Sequence, residues 1–193
     1  FDFKISFLRR SKEFKYFFHM SQDGADAMKN LYNFFSDKNP KYTNYFKVFS
    51  GCSDKNLCNP VILIFDNELS NKCKPLHSFV SHIELSSSDK DKLKEDLCMK
   101  IIDDGNLFLV TNQLVDGKAE CEIEDLFDET TRNHVIAGKT FSSNDKADKE
   151  KHYGKEIFAN FIQSNYKSIN FDNFRQMLNN IVKVIAEFAG TEG

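Results

Sequence analysis

Pro60-Val61-Ile62-Leu63-Ile64-Phe65-Asp66-Asn67-Glu68 is the stretch on which the reading of the fold turns. Its five consecutive apolar residues, Val61 to Phe65, are mostly β-branched or aromatic. A short run of that kind reads as a strand buried on both faces. The run stops on Asp66-x-Glu68. Side chains two apart on a strand point the same way, roughly 7 Å apart along the backbone. Two carboxylates at the carboxyl end of a buried strand suit a shared hard divalent cation. In open α/β sheets that end is also where ligands bind.

Outward from this stretch, helical and strand-like segments alternate. Phe3 to Leu8 alternates apolar and polar residues and reads as a strand. Asp23 is placed to cap a helix that turns Ala27, Leu31, Phe34 and Phe35 inward, with Asn39-Pro40 ending it. Tyr42 to Phe49 fits helix or strand. Pro75 sits where a helix starts, with Leu76, Phe79 and Ile83 on one face. Ser86 to Asp89 forms a second cap-like cluster, and Asn106 to Thr111, with Leu107, Phe108, Leu109 and Val110, is the second buried strand, fed by the turn Asp103-Asp104-Gly105. An acidic amphipathic segment, Glu120 to Asp128, follows it. His134 to Phe141 reads as a small hairpin around Ala137-Gly138, and Ser142 to Lys151 as a mobile polar loop. Two helices close the chain. The first, from about Gly154 to Ser164, turns Ile157, Phe158, Phe161 and Ile162 inward; the second, from about Asp172 to Phe188, turns Phe174, Leu178, Ile181, Val182 and Ile185 inward. Strands separated by helices predict an α/β fold, a mostly parallel sheet flanked by helices. Residues 1–150 are read as that α/β domain and 151–193 as a C-terminal helical pair packed on it.

Composition narrows the function classes. The chain has 193 residues, 20 Phe, no Trp and a net charge of −3. It is no polycation, so nucleic-acid binding needs a local basic patch or bridging metal ions. The five Cys, at 52, 58, 73, 98 and 121, form no C-x-x-C pair and have no His at finger-like spacing, which argues against zinc. Scattered and odd in number, they read as free thiols of a cytoplasmic protein. No stretch approaches the roughly 18 apolar residues of a membrane span. The chain opens on Phe1 and runs at once into strand-like sequence, as a piece of a longer polypeptide would. Gly138-Lys139-Thr140 looks like the tail of a phosphate-binding P-loop, but position 133 is Asn133 where that loop needs Gly.

Several short motifs follow one another in a fixed order: Asp66-Asn67-Glu68, Ile123-Glu124-Asp125-Leu126-Phe127, Ala137-Gly138-Lys139-Thr140-Phe141, His152 to Ala159, and Ile169-Asn170-Phe171. In this order they resemble the C-terminal TOPRIM-type domain of a group of bacterial retron reverse transcriptases, over nearly the whole chain. The resemblance implies a TOPRIM-like sheet and magnesium- or manganese-dependent phosphodiester chemistry on nucleic acid. It further implies an effector role in phage defence beside an upstream reverse transcriptase domain (an RNA-directed DNA polymerase). Two departures stand out. The family pattern is Asp-x-Asp where this chain has Asp66-x-Glu68, and the family's first-strand Glu has no counterpart after Phe1; Glu13 lies in Arg10-Ser11-Lys12-Glu13-Phe14, which does not fit that motif.

These readings define the candidate site. Asp66 and Glu68 are the metal ligands, or else a turn cap and a solvated loop residue. Glu124, ranked above Asp125, completes a second metal position as two-metal sites require, or opens an acidic helical turn. Lys155 neutralises charge on a phosphodiester, or is a surface lysine. Its place at a helix start, unfavourable against the helix dipole, marks it out. Lys139 and Ser70 are candidate phosphate contacts, and Glu120 and Glu122 read as surface. The alternative function is a catalytically degenerate module that binds retron nucleic acid or a neighbouring domain through Lys and aromatic side chains.

Overall fold

The computed structural model describes residues 5–9, 11–21, 25–52, 59–103, 105–144 and 146–190. In chain order the described elements begin with α1 (Lys12–Phe17), α2 (Ala25–Phe35) and α3 (Tyr45–Cys52). They continue with β1 (Val61–Phe65), α4 (Pro75–His82), α5 (Ser87–Asp96), β2 (Cys98–Lys100) and β3 (Leu107–Thr111). A 3-10 turn at Ile123–Leu126 leads to α6 (Glu129–Arg132), β4 (Thr140–Phe141) and β5 (His152–Tyr153). The chain closes with α7 (Lys155–Asn165) and, after a second 3-10 turn at Asp172–Phe174, α8 (Arg175–Gly190).

β3 is buried along its whole length and lies at the centre of a three-stranded sheet in the order β1-β3-β2. Its alternation places Leu107 and Leu109 in one hydrophobic cluster and Phe108 and Val110 in the other. This is the period-two division of a strand with helices on both faces. On the first side, Leu63 and Phe65 of β1 join Leu31 and Tyr32 of α2, Leu76, Phe79 and Val80 of α4, and Leu93 of α5. On the second, Phe108 and Val110 meet Phe158 of α7 and Met177, Ile181 and Val184 of α8, with Leu126 and Phe127 between them. The fold is therefore mixed α/β, with the terminal helices packed against the sheet.

Local sequence explains the helix boundaries. Pro75 occupies the first turn of α4, where a missing N–H costs nothing. The Ser86 hydroxyl accepts the Asp89 N–H at 3.1 Å and caps α5. Asp128 caps α6 by accepting the Thr131 N–H at 2.7 Å. Ala137 and Gly138 both have positive φ (50° and 77°) between the bridged residues Ile136 and Lys139. A two-residue hairpin turn requires that geometry, and glycine favours it.

Several expectations are corrected. β1 and β3 pair parallel, from Val61↔Leu107 to Phe65↔Thr111, but β2 pairs antiparallel to β3. A mostly parallel sheet is not what the three strands form. β2 escaped the sequence reading because it is three residues long and directly follows a polar helix. Ile5 to Leu8 forms no strand; it is exposed, with Phe7 88% accessible. Alternation alone does not make a strand without a neighbour to pair with. Phe3 and Lys4, and the expected cap Asp23, lie outside the described residues. Tyr42 to Phe49 resolves as helix from Tyr45. Ile157, Leu178 and Val182, expected inward, are exposed. In α8 the buried residues are Met177, Asn180, Ile181 and Val184, so its inward face is rotated from the expected stripe. Asn180 is the reason: a polar residue at a buried position, accepting a hydrogen bond from Gln176, conceals the true face.

Because Phe108 is fully buried at the sheet centre, Phe108→Ala is expected to cost about 3–5 kcal/mol. Leu178→Ala, on the exposed side of α8, is expected to cost less than about 1 kcal/mol. Urea denaturation of the two variants measures both values.

Candidate functional site

The carboxyl end of β1 is fixed by a buried knot of amides. The Asn67 N–H donates to the Asn112 side-chain oxygen and to the Cys121 carbonyl, each at 2.9 Å. The Asn67 side-chain amide donates to the Asn112 carbonyl at 2.9 Å, and that of Asn112 to the Cys121 carbonyl at 3.0 Å. The Cys121 N–H returns to the Asn67 carbonyl at 3.0 Å. These bonds lace together the end of β1, the residue after β3 and the segment leading into Ile123–Leu126. They set Asp66 and Glu68, which flank Asn67, beside Glu122 and Glu124, which follow Cys121.

Glu68 is 3% exposed and accepts from the Lys74 ammonium at 2.5 Å. Lys74 also reaches Glu122 at 3.4 Å. On the other side of Glu122, the Lys155 ammonium lies 3.0 Å from its second oxygen and 3.2 Å from Glu124. Carboxylates and ammoniums thus alternate in the sequence Glu68, Lys74, Glu122, Lys155, Glu124. Lys74 precedes Pro75 at the start of α4, and Lys155 is the first residue of α7, after Gly154. Lys155 stands at a helix end that disfavours cations; its two carboxylate partners offset that cost.

Asp66 differs from its neighbours. One oxygen accepts the Ile123 N–H at 2.8 Å, and no lysine among the described residues bonds it. Burial is the main force pushing its pKa up, to about 6, with Glu124 and Glu68 adding to it against the Ile123 N–H and Lys155. For Lys155, burial opposes the charged form, but the bond to Glu122 and the charge of Glu124 push the pKa up to about 12. For Glu122 burial acts upward and is overcome by Lys155 and Lys74, which hold the carboxyl below its usual range. The bond to Glu68 chiefly raises Lys74. The cluster therefore holds four carboxylates and two fixed cations, and Asp66 is its under-neutralised member.

A polar cleft of about 470 Å³ opens over the cluster, lined by Lys74, Glu122, Ser143, Asn144, Lys146 and Lys155. Its far wall is the connection between β4 and β5. That connection is tied at its base by Thr140 N–H to the Lys151 carbonyl and Ser142 N–H to the Tyr153 carbonyl, both 3.0 Å.

Of the residues singled out from sequence, Asp66, Glu68, Glu124 and Lys155 come together here. Lys139 and Ser70 do not. The Lys139 ammonium donates to the Lys149 carbonyl at 2.6 Å, and the Ser70 hydroxyl to the Ala119 carbonyl at 3.3 Å. Both serve local loop structure. Asp125 faces Lys118 and Arg132 instead of the cluster, at 2.6 and 3.4 Å. Glu122, read as surface, is the hub of the array, and Lys74 was not singled out at all. The signal for Lys74 was the Asp66-x-Glu68 pair itself, since buried acids demand cations; Glu122 carried no local signal. No helix among the described residues is long and apolar enough to cross a membrane.

No protein-family model matches the chain, and no solved structure matches it.

Two outcomes are expected. Asn112→Ala removes bonds to buried backbone groups and should lower stability by about 1–3 kcal/mol in denaturant melts. Asp66 has a folded pKa raised to about 6 from 3.8, so the folded state binds more protons than the unfolded one between those values. Wild-type stability therefore falls as pH rises through that window. Asp66→Asn keeps an acceptor for the Ile123 N–H and removes this loss. The variant should melt higher than wild type at pH 7.5, with the gap closing below pH 4.

Proposed function

We propose that the chain is a TOPRIM-like domain that hydrolyses phosphodiester bonds of nucleic acid with a bound magnesium or manganese ion. On this reading it is the effector part of a retron reverse transcriptase in phage defence, working in the cytoplasm beside an upstream polymerase domain. The observation that carries the reading is the charged array at the carboxyl end of β1, where Asp66 feels the charges of Glu124, Glu68 and Lys155, Lys155 bonds Glu124, and a polar cleft opens beside Glu122 and Lys155. The ordered motifs and their resemblance to TOPRIM-type domains support it.

The donor set suits a hard cation: all its ligands are carboxylate oxygens. Its charge balance leaves Asp66 short of a cation. Spacing is less favourable, because among the described residues no three acidic, His or Cys side chains converge on one point. Asp66, Glu68 and Glu124 are the residues that would hold the ion, which would supply charge neutralisation and a water acidic enough to attack phosphorus. In the net reaction the oxygen of water bonds to phosphorus, the P–O ester bond breaks, the leaving oxygen takes up one of the water's protons and the other passes to solvent. The chain's own residues do the rest. Lys155 and Lys74 present ammoniums at the cleft, where they hold phosphate oxygens and stabilise the charge that grows on them. Glu122 holds both lysines in place until a phosphate arrives.

Manganese titration by calorimetry tests the reading, alongside cleavage of labelled DNA and RNA oligonucleotides. Wild type is expected to bind the ion and cleave. Asp66→Asn, which keeps the fold, should bind at least about tenfold more weakly and lose at least about a hundredfold in rate.

One observation favours a second reading. Lys74 and Lys155 already neutralise Glu68, Glu122 and Glu124, as they would in a degenerate site kept for binding retron nucleic acid or a neighbouring domain. Oligonucleotide binding that is unchanged by Asp66→Asn, with neither cleavage nor manganese binding in wild type, would establish that reading instead.

A further inference from the structure

The cleft above the carboxylate cluster has a second wall that the catalytic reading does not use. Ser143, Asn144 and Lys146 line it, from the connection between β4 and β5. Lys146 is exposed, and its ammonium has no partner among the described residues, in contrast to Lys74 and Lys155 across the cleft. The Ser143 hydroxyl and the Asn144 side-chain amide likewise have no acceptor among the described residues, leaving three donors on one wall.

The wall is shaped by its own turns. Asn144 accepts the Lys146 N–H at 3.0 Å through its side-chain oxygen, and the Ser142 hydroxyl accepts the Asn144 N–H at 3.2 Å. Asp148 accepts the Glu150 N–H at 2.9 Å through its side chain, and its carbonyl accepts the His152 N–H at 2.8 Å. Lys139, which the sequence offered as a phosphate contact, braces this same connection through the Lys149 carbonyl. The acceptor sides of the turn residues are thus satisfied inside the loop. What faces the cleft is a hydroxyl, an amide and an ammonium. Among the described lining residues, three lysines and two neutral donors stand with one carboxylate, Glu122, and of the three ammoniums that of Lys146 alone is not already bound to a described carboxylate.

We propose that Lys146, with Ser143 and Asn144, forms a phosphate-binding subsite for a nucleic-acid strand, holding a phosphate beside the one that Lys74 and Lys155 receive. The subsite rests on the reading of the cluster as a phosphodiester site, and it places the strand across the cleft between the loop and the start of α7. Lys146 is a positioning residue here: it sets where the strand lies and takes no part in bond breaking.

The test is fluorescence anisotropy of a labelled oligothymidylate, in chelator so that no hydrolysis occurs, over a range of salt concentrations. Wild type, Lys146→Ala, Lys146→Glu and a control, Lys92→Ala on exposed α5, are compared, with melting temperatures checked. Lys146→Ala should weaken binding about tenfold, as loss of a charged hydrogen bond would. It should also reduce the slope of log K against log salt by about 0.7, the value for one phosphate contact on a single strand. Lys146→Glu should weaken binding further, and Lys92→Ala should match wild type. Wild-type affinity and slope in both Lys146 variants would overturn the subsite. If Asp66→Asn still abolished cleavage in that case, the reading of the carboxylate cluster would stand without it. Failure of the wild type to bind at low salt would overturn the subsite, and the reading of the carboxylate cluster would fall with it only if cleavage in manganese failed as well.

Discussion

The site depends on a small amount of buried hydrogen bonding. Asn67 and Asn112 each use backbone and side chain to join three segments that the sheet ladder does not join. β1 and β3 are already paired, but the Cys121 segment belongs to neither strand and is joined to the end of β1 by an isolated bridge with Asn67. Without that bridge Glu122 and Glu124 would sit on a free loop, and Asp66 would lose the Ile123 N–H. Buried amides are costly unless every donor and acceptor is matched. Here the matching partners are backbone groups of the segments that must be held, so satisfying the amides and positioning the acids are one requirement.

Electrostatics then determines the arrangement of side chains around that frame. Glu68 is nearly inaccessible, and burying a carboxylate costs free energy that a paired cation offsets. Lys74 supplies the cation from the start of α4, on one face of the sheet, and Lys155 supplies another from the start of α7, on the other. Glu122 lies between them and takes one oxygen to each. Helices on opposite faces of the sheet thereby meet at its edge through a single carboxylate.

The apolar skeleton was legible in the sequence because its periods are local. Val61 to Phe65 and Leu107 to Val110 are uninterrupted apolar runs, and Pro75 and Ser86 mark helix starts by chemistry that acts within a few residues. β2 was not legible, since a three-residue strand owes its existence to the neighbour it pairs with. The face of α8 was misread because Asn180 is buried and Leu178 and Val182 are not, which only the packing decides. The site was half legible for the same reason. Asp66, Glu68, Glu124 and Lys155 carry marks in their own neighbourhoods: a strand end, an acidic turn, a cation at the wrong end of a helix. Asn67, Asn112, Lys74 and Glu122 have meaning only through partners 33 to 48 residues away, or across a turn.

The alternating array also bears on how such a site would respond to substrate. A closed row of ion pairs holds each lysine with a carboxylate and each carboxylate with a lysine, except at Asp66. A phosphate that enters the cleft competes with Glu122 for Lys74 and Lys155, both of which line it. Each lysine drawn toward the phosphate leaves negative charge uncompensated behind it, on Glu68, Glu122 and Glu124. That charge adds to the repulsion already felt at Asp66 and deepens the attraction of the cluster for a divalent cation. Anion and cation would then bind cooperatively without any movement of the backbone, because the same two ammoniums serve both. On the proposed reading, the ion pairs that make the cluster look complete are the means by which it couples substrate to metal.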